Sequence, residues 1–324
     1  MSCALEKGES MTAYFNPGYI FNPVSDDLVV DLSPTQILKS QVCNRSLGYY
    51  RARVKPAATP LNLVFGSALH WVIEGFIKGY INRDEMARHF SEEFFRLSMS
   101  GLISMAKSKT REVNETIGKR LAEQFPSFYD NLGLRPVVIE GAFRLKIGHN
   151  TYLNLVIDFV GVAEKDIIFN GELVAKKGDT VILDWKTAAT KEGALFAGIA
   201  LQLTYYWEAV RLACASLGIK EPAACGFASG LKPNMSKTDS DSLMKAMWQP
   251  VQWTKRTRSD VEEAFDYALV VAGRIRRGEF HRTSGAAYNS PCDSQTRCDY
   301  AGLCLEGSKR GYRIPGALTI ADLV

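Results

Sequence analysis

No run within these 324 residues approaches the roughly 20 consecutive apolar positions that a membrane-spanning helix needs. The opening residues, MSCALEKGESMTAYF, lack a basic stretch followed by an apolar one, so no secretory leader is expected. There is no G-x-x-x-x-G-K-[ST] phosphate loop, which excludes an ATPase of that type, and no internal repeat. Acid is missing from one long stretch. Between Asp31 and Glu74 there is none, while Lys39, Arg45, Arg51, Arg53 and Lys55 all fall there. Without a membrane span or a leader, the chain is expected in a reducing cytoplasm, with no membrane partner.

What is present fits a packed globular protein. Hydrophobic residues make up 46% and charged residues 23%, which excludes a disordered chain, a collagen-like chain and a disulfide miniprotein. The length suits one large domain or two small ones. The net charge of +4 is too small to name a partner, but it is unevenly spread. Residues 1–31 hold five acids and one lysine, and Arg274, Arg276, Arg277 and Arg282 form a second basic group. Basic clusters are a footprint of phosphate binding, with a solvated helix face as the plain alternative.

The pattern along the chain predicts an irregular arm over 1–31, with turn signals at Asn16-Pro17-Gly18 and Asn22-Pro23. A helical region follows over 32–134. Ser33-Pro34 is a helix start, and a second helix near Gly66 carries Leu69, Val72, Ile73, Phe76 and Ile77 at helical period. Residues 84–130 read as further helix, with Phe90, Phe94, Phe95 and Leu97 as core candidates. A core over 135–258 begins with a hairpin, strands over 137–147 and 152–162 about a Gly148-His149-Asn150 turn. Residues 164–179 read as a polar connection. A short strand over Val181–Lys186 and a helix from about Glu192 to Leu217 follow. Two more strands are predicted near Cys225–Leu231 and Met247–Lys255. A helix from Asp260 to Arg277 opens a cysteine-bearing tail, 259–324. The order of elements implies an α/β or α+β core with a helical N-terminal insertion.

The sharpest local feature is Asp184-Trp185-Lys186. Alternation along a strand puts Asp184 and Lys186 on one face, and charge in so apolar a strand is costly unless paired or bound to metal. Asp158 lies in the neighbouring strand, also in apolar company. Two carboxylates converging from adjacent strands make a hard oxygen site suited to Mg²⁺ or Mn²⁺. His70 on the Gly66-Ser67-Ala68-Leu69-His70 helix is a further candidate. Gln202 and Tyr206 are spaced i, i+4 on one helix face. Glu140 in the first strand is a further acid that could lie near the site, with an edge-strand carboxylate as the simpler reading.

Taken in order, G-S-A-L-H, I-D-F, D-W-K and Q-L-T-Y-Y resemble the RecB-like branch of the PD-(D/E)XK nuclease superfamily. Leu32-Ser33-Pro34-Thr35 with Cys43 resembles its opening helix, and Arg276-Arg277-Gly278-Glu279-Phe280 its closing one. The likeness spans residues 32–304. It implies a restriction-endonuclease-like α/β core, a central mixed sheet flanked by helices. It also implies that His70, Asp158, Asp184 and the backbone carbonyl of Trp185 hold a divalent metal. Lys186 then activates the attacking water or stabilises developing charge, and Gln202 and Tyr206 support the site and the DNA strand.

Cys292, Cys298 and Cys304 follow C-x5-C-x5-C, and Cys43 stands before the core. The same resemblance, to nucleases with a C-terminal iron–sulfur staple such as the CRISPR-adaptation and AddB-type enzymes, implies a [4Fe–4S] cluster on these four. The relatives' usual tail is C-x2-C-x5-C, and Gln295 stands where the close-spaced cysteine is expected. Zinc, or plain structural thiols, are the other readings of the tail. Cys3, Cys214 and Cys225 read as small buried residues.

The expected activity is metal-dependent DNA exonuclease chemistry on single strands or DNA ends, in recombination, repair or replication, with a helicase, annealing protein or other recombination partner. The alternatives are a non-catalytic DNA-end-binding module, a CRISPR spacer-processing nuclease, and a zinc protein in which D-W-K is coincidental. Tyr49, Tyr50, Trp71 and Tyr205 are near the motifs as stacking surfaces for bases, with core packing the expected role of Trp71.

Overall fold

The computed structural model describes residues 28–105, 110–190, 193, 195–233, 243–282, 292 and 298–315. Expectations that fall on residues 1–27, Cys3 among them, and on Gln295 lie outside the described residues. Two compact units are present. The larger comprises Ala58–Leu145 and Leu153–Asp266; the smaller takes the segments up to Ala57, Lys146–Tyr152 and from Tyr267 onward. Among the described residues no helix is long and apolar enough to cross a membrane.

In the smaller unit, strand β1 (Val30–Leu32) leads into helix α1 (Pro34–Val42). Ser33 and Gln36 form a reciprocal cap: the Ser33 hydroxyl accepts from the Gln36 amide, and the Gln36 side chain accepts from the Ser33 amide. Cys43 is extended and separates α1 from α2 (Asn44–Arg51). The basic residues here are largely committed to the protein itself. Arg276 donates to the carbonyls of Leu28, His149 and Asn150, and Arg277 pairs with Glu279. Arg45 donates to the Phe280 carbonyl and Arg51 to that of Asp31. These contacts make Arg45, Arg51 and Arg276 struts within the smaller unit, while Arg277 is an exposed side chain in a local ion pair. Tyr49 is buried against Tyr300, with ring centroids 5.2 Å apart, so it offers no stacking surface.

In the larger unit, α3 (Leu61–Ile77) begins five residues earlier than the periodicity suggests, directly after Pro60, which stands at its N-cap. The predicted helix over 84–130 is two helices, α4 (Met86–Met99) and α5 (Arg111–Leu132). Thr110 caps α5 by accepting from Val113 N, and Gly133 ends it in the left-handed conformation that glycine tolerates. Phe90 and Phe94 are buried, as the period required, but Phe95 is 57% exposed because it falls on the opposite face of α4. Trp71 is a second correction. It was placed in the core, yet it is 44% exposed.

Strands β2 (Leu134–Gly148) and β3 (Thr151–Ala163) form the hairpin. The connection after it contains a small hairpin of its own, β4 (Ile167–Phe169) with β5 (Glu172–Ala175). Strand β6 (Thr180–Ala188) follows, then a short helix α6 (Phe196–Ile199) and a long one α7 (Leu201–Leu217). Strand β7 (Pro222–Leu231) and the short strands β8 (Met247–Trp248) and β9 (Gln252–Thr254) follow, then helix α8 (Arg258–Arg276), of which the residues up to Asp266 belong to this unit.

The sheet runs β2–β3–β6–β7, with β8 and β9 both on the outer edge of β7. Strand β6 is antiparallel to β3 and parallel to β7, so the sheet is mixed. Strands β6, α7 and β7 form a βαβ crossover. Val181, Ile182 and Leu183 are all fully buried, as a central strand covered on both faces requires. One core joins α3, α4 and α5 to the sheet. At its centre Phe125 of α5 meets Trp185 edge to face at 5.3 Å and Trp248 at 5.2 Å.

Candidate active site

The pairing of β3 with β6 sets Phe159 opposite Leu183, and the next residues along are Asp158 and Asp184. Each points away from the aromatic core that Phe159 and Trp185 enter, because side chains alternate. The two carboxyls therefore share one side of the sheet under α3. The Trp185 amide donates to Asp158 Oδ2 at 2.8 Å, which locks the carboxyl against β6.

His70 reaches the same place from α3. Its Nε2 lies 2.9 Å from the Trp185 carbonyl oxygen. A carbonyl can only accept, so Nε2 carries the proton and Nδ1 presents a lone pair. Nδ1 faces Asp158 Oδ2 at 3.7 Å and Glu140 Oε1 at 3.8 Å. His70, Glu140 and Asp158 bring one ligand atom each to within 4.8 Å of one another. That is a nitrogen and two carboxylates facing a common point, a donor set suited to a hard or borderline divalent cation. The backbone acceptor behind Nε2 is the kind of support that metal-ligating histidines have.

Glu140 joins this group from β2 through an unusual backbone. Its φ is +53°, the left-handed region that a side-chain-bearing residue rarely adopts. The signal in the sequence was the Glu140-Gly141 break inside an otherwise regular strand.

Asp184 stands beside the group and is engaged elsewhere. Gln202 Nε2 donates to its Oδ1 at 2.7 Å, and the Lys186 ammonium lies 2.5 Å from its Oδ2 in an ion pair. Lys186 also donates to Gln202 Oε1 at 3.3 Å and sits over the Phe227 ring. Gln202 Nε2 donates in addition to the Tyr206 hydroxyl at 2.6 Å, the i, i+4 pairing expected on α7. Tyr205, next to it, is buried and donates to the Ala264 carbonyl, so it packs rather than stacks on a ligand.

The electrostatics describe a site that holds protons when no cation is bound. Burial, and then the charge of Asp184, push the Asp158 carboxyl up to about 7. Burial also raises Asp184, against the pull of Lys186. For His70, burial works against the charged form, but Glu140, Asp158 and Asp184 together outweigh it and raise the imidazole.

These side chains line one open cavity of about 720 Å³. Its wall also contains Trp71, Leu63 and Lys232. Lys232 was not singled out by the sequence. It follows the last residue of β7, is buried, and packs 4.6 Å from the Phe65 ring centroid.

In the smaller unit, Cys43, Cys292, Cys298 and Cys304 line a separate internal cavity of about 10 Å³ with Tyr49, Arg45 and Arg282. Burial raises the Cys298 thiol, and the proximity of Cys43 and Cys292 adds to it. The four cysteines thus meet, but their sulfurs do not form a group within 4.8 Å, as the donors around His70 do. The expected ligand set is therefore assembled around one void, with no three of its sulfurs at single-ion spacing among the described residues. Cys225 is fully buried and its thiol is pushed up to about 12, and it packs as anticipated.

The fold, a mixed sheet flanked by helices with acids from β3 and β6 beside a lysine, is that of a divalent-metal nuclease. The family model of the PD-(D/E)XK nuclease superfamily matches residues 31–305, and the chain belongs to that family. No curated protein matches. A solved structure from Eubacterium rectale, named as a putative exonuclease, is similar at 10% identity and a TM-score of 0.44, over 88% of this chain and 92% of that one.

Proposed function

We propose that this chain is a metal-dependent deoxyribonuclease of the RecB-like branch, an exonuclease that hydrolyses phosphodiester bonds in single strands or at DNA ends. The observation that carries the reading is the convergence of His70, Glu140 and Asp158 on one point, with Asp184 and Lys186 adjoining, in a cavity open enough for a polymer. His70 Nδ1, Glu140 and Asp158 hold the divalent cation, with Asp184 beside them. Bound there, Mg²⁺ or Mn²⁺ supplies a lowered water pKa and a clamp on the phosphate oxygens. Lys186 offers its ammonium where negative charge develops on the phosphate. Gln202 fixes both Asp184 and Lys186, and Tyr206 fixes Gln202. The chain has no phosphate loop, so duplex opening is the task of a partner helicase or a similar protein.

The test is cleavage of end-labelled single-stranded, duplex and flap DNA with Mg²⁺ or Mn²⁺. Asp184→Ala and Lys186→Ala should each lose at least about a hundredfold, the scale of removing one stabilising donor. Full activity in either variant, or DNA binding without cleavage by the wild type, would sink the assignment.

For the four cysteines we infer a [4Fe–4S] cluster that staples Cys43 to the 292–304 segment, with zinc as the alternative. The support is their common cavity and the matching order of motifs. A single tetrahedral zinc with Zn–S near 2.3 Å brings its sulfurs to about 3.8 Å, whereas no three of these, among the described residues, lie mutually within 4.8 Å. Anaerobically purified protein should contain iron and sulfide in equal amounts. Cys298→Ala should be colourless and poorly soluble, and unchanged visible absorbance in that variant would remove the cluster.

A further inference from the structure

We propose that Trp71 is a stacking platform for one nucleobase of the strand held in the active site, which deepens the nuclease reading and rests on it. Trp71 follows His70 directly on α3 and lines the same cavity. Leu63, Gly66, Ser67, His70, Trp71 and Glu74 all face that cavity, at the i, i+3, i+4 spacing of one helix face. On this face Trp71 is 44% exposed and Leu63 is 63% exposed. The His89 imidazole meets Trp71 T-shaped with centroids 6.1 Å apart, so this one ring covers at most one face of the indole.

The helix between the two apolar side chains is cut back. Gly66 has an ordinary helical backbone, and a Cβ added there would meet nothing within 4 Å. Glycine in a helix interior costs stability relative to alanine, and packing supplies no reason for it here. What remains is the space above it, at the cavity wall one helical turn from His70. A sugar–phosphate chain passing Gly66 would put a phosphate by the acids and lysines and an adjoining base on Trp71. The buried cation Lys232 on the same wall adds charge complementary to that chain. A phosphodiester strand with a flat base is the occupant that fits both chemistries. Base–aromatic stacking is also indifferent to sequence, as a general nuclease requires.

The experiment measures binding of two oligonucleotides of equal length, one with bases and one wholly abasic, in an Asp184→Ala background so that neither is consumed. Adding Trp71→Ala should weaken binding of the base-bearing strand roughly five- to hundredfold and leave the abasic strand unchanged. Trp71→Tyr should restore most of the loss. Equal binding by parent and Trp71→Ala, or an equal loss for both strands, would overturn the proposal. A parallel cleavage assay on the wild type separates the two readings. Wild-type cleavage with no base-dependent effect of Trp71 removes the platform alone. No cleavage and no binding by any form removes the nuclease reading and the platform together. A second variant guards against a folding artefact. Gly66→Ala should raise the thermal midpoint yet weaken binding of both strands, since it crowds the backbone path and not the base. Undiminished binding by that variant would also count against the path.

Discussion

Glu140 holds a backbone conformation that costs on the order of 1–3 kcal/mol for a residue with a side chain. A strand has no need of it, and glycine would adopt it freely. The return for that strain is a carboxylate oxygen 3.8 Å from His70 Nδ1, which a regular strand would have aimed elsewhere. Glu140→Gly should therefore relieve strain and leave the thermal midpoint unchanged or higher. The same change should weaken divalent-cation binding, read by calorimetry, at least about tenfold. Glu140→Gln keeps the strain and should lose the cation without gaining stability. If both variants bind cation as tightly as the wild type, Glu140 is no ligand. This residue also marks a limit of reading from pattern. An acid in an edge strand is ordinary, and beyond the Gly141 that follows it, the φ of +53° and the approach of α3 distinguish this one. Trp71 was more accessible. Core packing is the expected role of an indole in so apolar a helix, yet its helical neighbours at i−4 and i+3 are Ser67 and Glu74, a polar stripe that agrees with the exposed position found.

At the scale of elements, helix and strand identities followed closely from local pattern, and the departures each have a distant cause. The helix predicted from Glu192 is broken at Ala200, which is extended and follows Gly198 by two residues. Arg256, more than fifty residues further on, donates to the carbonyls of Ala197 and Ala200 that the break exposes, and to Thr204 Oγ1. No window of local sequence contains both partners. The packing of α4 on α5 is a second case. Gly118 on α5 lies against the Phe90 ring, where an added Cβ would come within 1.9 Å of a ring carbon. Alanine is favoured over glycine in a helix by up to about 1 kcal/mol. Overpacking a tight core costs about 1–3 kcal/mol, and a clash of this depth belongs at the upper end. The clash should win. Gly118→Ala is expected to lower unfolding stability in urea by about 1–2 kcal/mol, with the slope unchanged. Its cleavage rate at low temperature should stay near wild type, since Gly118 is remote from the acids. A stabilised variant would mean that the helices can part without penalty.

For the folded molecule as a whole, the site is a stability liability whose sign is fixed by its titration. Asp158 titrates near 7 when folded and close to 4 when unfolded. A carboxyl raised in the folded state contributes stability that is fully present below the unfolded value and is lost as pH rises through the folded one. Asp184 is raised too, so it acts in the same direction. His70, a base raised by its carboxylate neighbours, likewise contributes stability at low pH that fades as it deprotonates. All three push one way. In chelator, the thermal midpoint should fall as pH is taken from 5 to 8, because ionising Asp158 buries its charge beside that of Asp184. Mg²⁺ or Mn²⁺ should raise the midpoint more at pH 8 than at pH 5, since at the lower pH it competes with protons for the same atoms. Asp158→Asn can still accept from the Trp185 amide through its side-chain oxygen, so the β3–β6 lock survives. That variant should be more stable than the wild type at pH 8 in chelator, show a flatter pH dependence, gain little from cation, and not cleave DNA. A wild-type midpoint that rises between pH 5 and 8 in chelator would reverse the sign and with it the picture of a site that exchanges protons for a metal ion.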